Sequence, residues 1–332
     1  FLQAAFILFS SRAPRLTFRI KWRDVWETAA LSVPRTLALS IASFVGLFFA
    51  ALSARIGEGT IAVFNLSFNL QSVPLSLIGV SFSLSAFPAL ALSFAKRNLP
   101  EVIAHIENGL RQIIFWALPL TALIIVLRAH IVRVILGSGS FDWNDTRLTA
   151  AALALFVISA VFQSIALFLS RSHYALGKTK WPLLANLTGG AVSVLAAVIL
   201  IKYFDALGSF FDFLSGLLNV SHLPKMILAL PFAFSIGSIL SALLLLFALG
   251  KELISEIWSR TKITLLQSLI SAFVAGLGAY LTLSLTDSLF NLETFLGVLG
   301  HGFLAGLIGI FLWALFLRLI GNQEIKKIIS HD

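Results

Sequence analysis

The feature that most constrains the fold is a stretch of 37 residues, 59–95, that contains no Asp, Glu, Lys, Arg or His. Such a run is typical of a membrane segment, because about 20 apolar residues span a bilayer core. Within it a polar or small residue recurs at steps of three and four, which places the set on one face of an α-helix. The set is Asn65, Asn69, Ser72, Ser76, Gly79 and Ser83. Pro74 interrupts this stripe, so the pattern predicts one long, bent helix.

Two interpretations of the polar stripe are open. A polar helix face inside a membrane lines a wet cavity or a polar interface. Stripes of Ser and Gly also occur where membrane helices simply pack closely. Two side-chain amides one turn apart, Asn65 and Asn69, favour the cavity, since amide groups are difficult to satisfy in a dry contact. The sequence therefore predicts that Asn65, Asn69, Ser72 and Ser76 line a substrate cavity.

The composition is typical of a polytopic membrane protein. It is 58% hydrophobic and 12% charged, with a mean hydropathy of +0.97, whereas soluble domains carry roughly 25% charged residues. We therefore expect an all-α polytopic membrane protein with eight full transmembrane helices. The eight uncharged runs that predict them are residues 36–54, 59–95, 112–127, 148–170, 181–201, 226–250, 263–286 and 294–317.

The first residues predict an incomplete element. Residues 1–11 are apolar but only half a span long, and they lack an initiator Met and the basic region of a signal peptide. We interpret them as an N-terminal half-helix, the end of a helix that begins upstream. The chain is accordingly expected to be the C-terminal part of a longer protein.

Lysine and arginine predict the orientation, because they are retained on the cytoplasmic side during insertion. If residue 12 is cytoplasmic, 17 of the 24 Lys and Arg fall inside and 6 outside, with Arg35 at the mouth of a span. Splitting residues 59–95 into two crossings would leave 10 inside and 13 outside, so one crossing is favoured. The C-terminus is then cytoplasmic. Topology and anionic lipid headgroups account for the net charge of +9, and no nucleic-acid partner is implied.

Four blocks of sequence resemble a known family. They are Pro34-Arg35 and residues 54–95, 136–153 and 171–182. Together they are similar to the C-terminal half of the MurJ (MviN-type) lipid II flippases, members of the multidrug/oligosaccharidyl-lipid/polysaccharide exporter superfamily. The resemblance covers residues 12–317. One position departs from it, because many members carry an Arg in the cavity helix where this chain has Asn69.

The resemblance implies an architecture and an activity. It implies a two-lobed, fourteen-helix protein in the bacterial inner membrane, which moves a polyprenyl-linked glycolipid between leaflets. Residues 1–32 would be a helix end and basic connector, 33–250 the C-terminal six-helix lobe, and 251–332 two additional helices and a tail. The partners would be the glycolipid, membrane lipids and the missing N-terminal lobe. A flippase for another lipid-linked oligosaccharide, or a drug exporter, is the alternative within the superfamily.

Arg35 has two interpretations. A lone Arg at a helix end commonly extends to the lipid headgroups. Its guanidinium also matches a phosphate in two-point hydrogen bonding, so Arg35 is a candidate substrate-binding residue of the cavity.

An intramembrane enzyme would need clustered carboxylates or histidines. The acidic residues are scattered, the six His have no ligand spacing and Cys is absent, so neither catalysis nor a metal or cofactor site is predicted. His301 is the one His inside a predicted span, where it is either a packed residue or a proton-carrying group.

Overall fold

The computed structural model describes residues 22–137, 139, 141–220, 224–322 and 324–326. This part of the chain forms ten α-helices and no strand: α1 (Trp22–Ile56), α2 (Thr60–Pro74), α3 (Ser81–Ala95), α4 (Leu99–Leu136), α5 (Trp143–Ala175), α6 (Lys180–Lys202), α7 (Gly208–Leu217), α8 (Ala229–Phe247), α9 (Lys251–Thr286) and α10 (Phe295–Leu319). Eight helical segments among the described residues are long and apolar enough to cross a membrane. The predicted all-α polytopic class and the eight spans are confirmed. The predicted half-helix at residues 1–11 lies outside the described residues.

The charge-free stretch forms one continuous crossing, Thr60–Ala95, as predicted. Its middle is a π-helical segment, Leu75–Val80, which begins directly after Pro74 and joins α2 to α3. Proline has no N–H to donate, so the α-helical hydrogen-bond ladder is already broken at this point. The π-helix takes up one extra residue and the helix continues.

α4 is longer than the sequence predicted. The uncharged run covers residues 112–127, but the helix runs over 38 residues from Leu99 to Leu136. At 1.5 Å per residue this is about 57 Å, well beyond a hydrocarbon core of about 30 Å. The Asn98 side chain begins it by accepting a hydrogen bond from the Glu101 N–H. Both charged flanks continue the same helix.

α5 is the centre of the bundle. It packs against α2, α3, α4 and α8, while α1 packs on α6 and α6 on α8. Five phenylalanine side chains form aromatic contacts between four of these helices: Phe49, Phe64, Phe68, Phe156 and Phe234. Four alanines of α5 are also buried: Ala150, Ala151, Ala152 and Ala154. Such small residues let membrane helices approach closely.

α9 and α10 pack against α4. A Cβ atom placed on Gly302 would lie 2.9 Å from the Cβ of His130, and one on Gly306 would lie 3.4 Å from a methyl group of Leu127. The Gly302-x3-Gly306 pair therefore forms a close helix contact. The chain turns from α8 into α9 at Gly250, whose φ of 102° suits glycine. The predicted boundary between residues 250 and 251 coincides with this turn, whereas the boundary between 32 and 33 falls inside α1.

Candidate functional site

Four of the predicted cavity residues form an open polar face on α2 and the π-helical segment that follows it. Asn65, Asn69, Ser72 and Ser76 are all exposed. The Ser72 hydroxyl donates to the carbonyl of Asn69 at 2.6 Å, and that of Ser76 donates to the carbonyl of Ser72 at 2.7 Å. Both hydroxyl oxygens therefore keep lone pairs for an outside donor. Open amides and hydroxyls in a membrane span need water or a polar partner, since lipid satisfies neither.

The rest of the predicted stripe is buried in a helix contact. Gly79 and Ser83 are both buried, and a Cβ placed on Gly79 would lie 2.8 Å from the Ser164 hydroxyl oxygen of α5. For these two residues the alternative of close packing is correct.

The open face instead continues through residues that the periodicity missed. Ser81 and Ser85 are exposed, and the Ser81 hydroxyl donates to the carbonyl of Ser76 at 3.2 Å. The step from Ser76 to Ser81 is five residues, because the π-helix inserts one residue at this point. The polar face therefore consists of Asn65, Asn69, Ser72, Ser76, Ser81 and Ser85. We call it the polar face of the long helix.

A buried amide pair fixes this helix on α5. Gln71, which follows the asparagines in sequence, points away from the polar face and is 1% exposed. Its Oε1 accepts a hydrogen bond from Gln163 Nε2 at 3.2 Å, and the same nitrogen lies 2.8 Å from the Ser159 hydroxyl. Hydrogen bonds of this kind hold the polar groups of two membrane helices together. Gln71 therefore positions the polar face and is not part of it.

An apolar groove of about 500 Å³ lies beside the polar face. Three elements line it, namely the π-helix with the start of α3, the middle of α4, and α10. The lining residues are Leu77, Ile78, Phe82, Trp116, Pro119, Leu120, Leu123, Ile310 and Trp313. The indole rings of Trp116 and Trp313 are 5.4 Å apart. Leu77 of the groove directly follows Ser76 of the polar face, so one helix turn presents both surfaces.

A second cavity, of about 470 Å³, is polar and lies where α9 begins and α10 ends. The segment that follows α10 contacts α4 at this cavity. Glu324, which is 2% exposed, accepts hydrogen bonds from Arg111 at 2.5 Å and from Gln112 at 2.6 Å. Asn322 donates to Gln267 of α9 at 2.5 Å. Sequence reasoning missed this cluster, because Arg111 and Glu324 are 213 residues apart and no local pattern joins them.

The remaining candidate residues are placed as follows. Arg35 belongs to α1, but its side chain lies outside the described residues. His301 is 1% exposed and contacts His130 of α4. Within the described part of the chain, no group of three or more His, Asp or Glu side chains is arranged to hold a metal ion.

Comparisons with known proteins identify a matching family model and several relatives. A family model described as "Lipid II flippase MurJ" matches residues 1–299. A probable lipid II flippase MurJ from Thermotoga maritima is 22% identical over 315 residues, covering 95% of this chain and 57% of the relative. Another from Bdellovibrio bacteriovorus is 28% identical over 190 residues, covering 57% of this chain and 36% of the relative.

Two solved structures share the fold. A lipid II flippase MurJ in an inward closed conformation superposes with a TM-score of 0.61 at 21% identity, over 92% of this chain and 57% of that one. A transporter of the MOP superfamily from Pyrococcus furiosus superposes with a TM-score of 0.52 at 13% identity, over 86% of this chain and 61% of that one. This chain spans roughly a third to three fifths of the length of these proteins. Because the family model matches nearly the whole chain, the chain belongs to the lipid II flippase MurJ family.

Proposed function

We propose that this chain forms one lobe and two additional helices of a flippase that moves lipid II, the polyprenyl-pyrophosphate-linked peptidoglycan precursor, from the inner to the outer leaflet. One observation carries the proposal: the polar face of the long helix and the apolar groove meet at Ser76 and Leu77. A substrate that fits this junction has a large polar headgroup joined to a long apolar tail.

The polar face is proposed to contact the headgroup. A glycopeptide presents many hydroxyl and amide groups, and the amides of Asn65 and Asn69 offer both donors and acceptors to them. The serine hydroxyls donate to their own helix and accept from the substrate. The face carries no charge, so it suits the sugar and peptide better than the pyrophosphate. Arg35 remains the proposed phosphate ligand of this chain, because a guanidinium binds phosphate oxygens in pairs.

The groove is proposed to hold the polyprenyl tail. Its walls are leucine, isoleucine, phenylalanine, proline and tryptophan side chains, which make van der Waals contacts with an apolar chain and present it with no polar surface. α10 supplies one wall, and this gives the second of the two additional helices a role. A tail in the groove keeps the headgroup next to the polar face while it crosses.

The cycle is proposed to be alternating access. Transporters of this kind rock two lobes around a central site, so that the site opens to one side of the membrane at a time. In this cycle residues 33–250 form the C-terminal lobe, α9 and α10 are the two additional helices, and an N-terminal lobe completes the cavity. The protein is proposed to reside in the bacterial inner membrane with its C-terminus in the cytoplasm, as the lysine and arginine distribution indicates. The proposed cycle contains no covalent step, so no enzymatic activity is assigned.

A translocation assay tests the proposal. The two-lobed protein is reconstituted into vesicles that contain lipid II with a fluorescent headgroup, and movement to the other leaflet is followed by quenching. An Asn69→Leu/Ser76→Leu variant should lose translocation, because leucine satisfies no headgroup donor or acceptor. Phe273→Leu, on an exposed apolar side chain of α9, is the control and should be fully active.

Two results would contradict the proposal. Full translocation by the Asn69→Leu/Ser76→Leu variant would show that the polar face does not contact the headgroup. Translocation of a different lipid-linked oligosaccharide with no movement of lipid II would favour the alternative cargo within the superfamily.

A further inference from the structure

Two histidines that are far apart in sequence meet between α4 and α10. Nε2 of His130 lies 3.2 Å from Nδ1 of His301, and the two rings are 5.0 Å apart at 76°. Nε2 of His301 lies 3.1 Å from the carbonyl oxygen of Leu283 in α9. Phe290 stacks on the His301 ring at 5.2 Å. The pair thus joins three helices at the end of the bundle where α4 finishes.

The hydrogen bonds fix the tautomers of the neutral pair. A carbonyl oxygen only accepts, so His301 Nε2 carries the hydrogen and Nδ1 of the same ring accepts. His130 Nε2 must then donate to it. This leaves Nδ1 of His130 without a hydrogen, and it is buried with no hydrogen-bond partner among the described residues. The neutral pair therefore has one vacant position for a proton.

Successive protons have different effects on this contact. A first proton at His130 Nδ1 leaves the bond to His301 in place but creates a buried N–H with nothing to accept it, which is unfavourable. A second proton places N–H groups on both nitrogens that face each other. The hydrogen bond is then lost and two like charges are held close together.

The charged groups around the pair are few. Asp287 lies in the 3-10 turn after α9, four residues beyond Leu283, whose carbonyl oxygen contacts His301. On α4 itself, Arg128 donates to the carbonyls of Ile125 and Leu218, and Arg133 donates to that of Phe141. Both guanidinium groups are thus engaged elsewhere.

The neighbouring helices carry their charges towards their ends, and Arg147 near the start of α5 is exposed. The single charged residue of α10 is Arg318, at its far end, and those of α9 lie between residues 251 and 262, also at the far end. Glu293, just before α10, is exposed. In α5, Asp142 and Asp145 cap the helix through each other's backbone. Asp287 is accordingly the acidic group best placed to stabilise an added proton.

The same contact between α4 and α10 leads to the apolar groove. Gly302 lies against His130, Gly306 against Leu127 and Gly309 against Leu123. Leu123 also lines the groove, together with Trp313 of α10. A change in the separation of α4 and α10 at the histidines is therefore transmitted to one wall of the groove.

We propose that His130 and His301 form a proton-binding site that holds α4 and α10 together when neutral and releases them when both rings are protonated. The proposal does not depend on which cargo is transported, because the ligand is a proton and the response is a change in the contact between α4 and α10.

Spin-label distance measurements on the 332-residue chain in lipid nanodiscs test it. Labels are attached at Ile135→Cys on α4 and Leu299→Cys on α10. Both positions are exposed and the chain has no other cysteine. Between pH 8 and pH 3, the population at longer distance should rise at least tenfold, because release requires both buried rings to take up a proton. The variants His130→Gln and His301→Gln keep an amide that donates and accepts but does not titrate, so they should lose this response.

Controls separate the pair from other titrating groups. His105→Gln removes a histidine near the opposite end of α4, beside Glu101, and should leave the response intact. Asp287→Asn alters an exposed turn residue and should shift the midpoint of the response to lower pH. The Asp287→Asn variant also tests the proposal in the case that a glutamine variant does not fold.

Three outcomes would overturn the proposal. They are a distance distribution that is the same at pH 8 and pH 3, an unchanged response in the His130→Gln/His301→Gln double variant, and an unchanged midpoint in Asp287→Asn. Because translocation is not the readout, failure of the proposed cargo assignment would not alter any of them.

Discussion

The five-residue step in the polar face of the long helix yields a sharp prediction. Single cysteines are introduced at Ser76, Ser81, Ser83 and Ser85 in the two-lobed protein, and their reaction with a membrane-impermeant maleimide is followed. Serine and cysteine are close in size, so each change perturbs packing little. The chain has no native cysteine, so it gives no background.

The geometry of the π-helix sets the expected order. In an uninterrupted α-helix, at about 100° per residue, Ser83 lies about 20° from Ser76 and Ser85 about 180° away. One inserted residue shifts everything that follows by about 100°. Ser81 then lies about 40° and Ser85 about 80° from Ser76, whereas Ser83 turns about 120° away. The exposures agree with the shifted arrangement, because Ser81 and Ser85 are open and Ser83 is 1% exposed.

The rates should differ by more than tenfold. A thiol at position 83 reacts only when the helix packing around it opens, and a local opening that costs about 2–3 kcal/mol slows the reaction about 30- to 160-fold. Cysteines at 76, 81 and 85 need no such opening. The assay is a gel shift with a polyethylene glycol maleimide after timed labelling. Fast labelling at 83 together with protection at 81 and 85 would refute the inserted residue, and equal labelling at all four would refute the cavity.

Four further outcomes are expected. The 332-residue chain alone should translocate no lipid II in vesicles, because half a cavity cannot alternate its access; translocation would instead indicate a dimer of halves. Arg35→Lys and Arg35→Ala should both reduce complementation of peptidoglycan synthesis at normal protein levels, since a point charge does not reproduce the planar fork; full activity of Arg35→Ala would remove this residue from the site. Gln163→Leu should lower the free energy of unfolding by about 1–3 kcal/mol in detergent denaturation, because Gln71 is left buried and unpaired, and replacing both residues by leucine should cost less than the single change. Glu324→Gln should speed proteolytic removal of the segment after α10 by weakening its contact with Arg111, and an unchanged cleavage rate would contradict that role.

The sequence was sufficient for the class, the number of spans and four of the six residues of the polar face. Transmembrane spans are set by the absence of charge over about 20 residues, which is a local and additive property. The amides at Asn65 and Asn69 and the hydroxyls at Ser72 and Ser76 follow α-helical spacing up to Pro74 and just beyond it, so periodicity placed them on one face. The ends of α4 were harder to predict from the sequence, because its charged flanks differ from its apolar middle in composition and not in backbone conformation.

What the sequence did not reveal depends on interactions between distant segments. Pro74 indicates that the helical ladder is interrupted, but a bend and a π-helix are both consistent with that residue. The contacts of Gly79 with Ser164 and of Gln71 with Gln163 on α5 show which occurs. With the helix held in this way, Gly79 and Ser83 are buried and Ser81 and Ser85 are exposed. The same holds for His130 with His301, which are 171 residues apart. Each histidine alone is consistent with a packed residue, and only their meeting leaves one ring nitrogen buried, unprotonated and able to bind a proton.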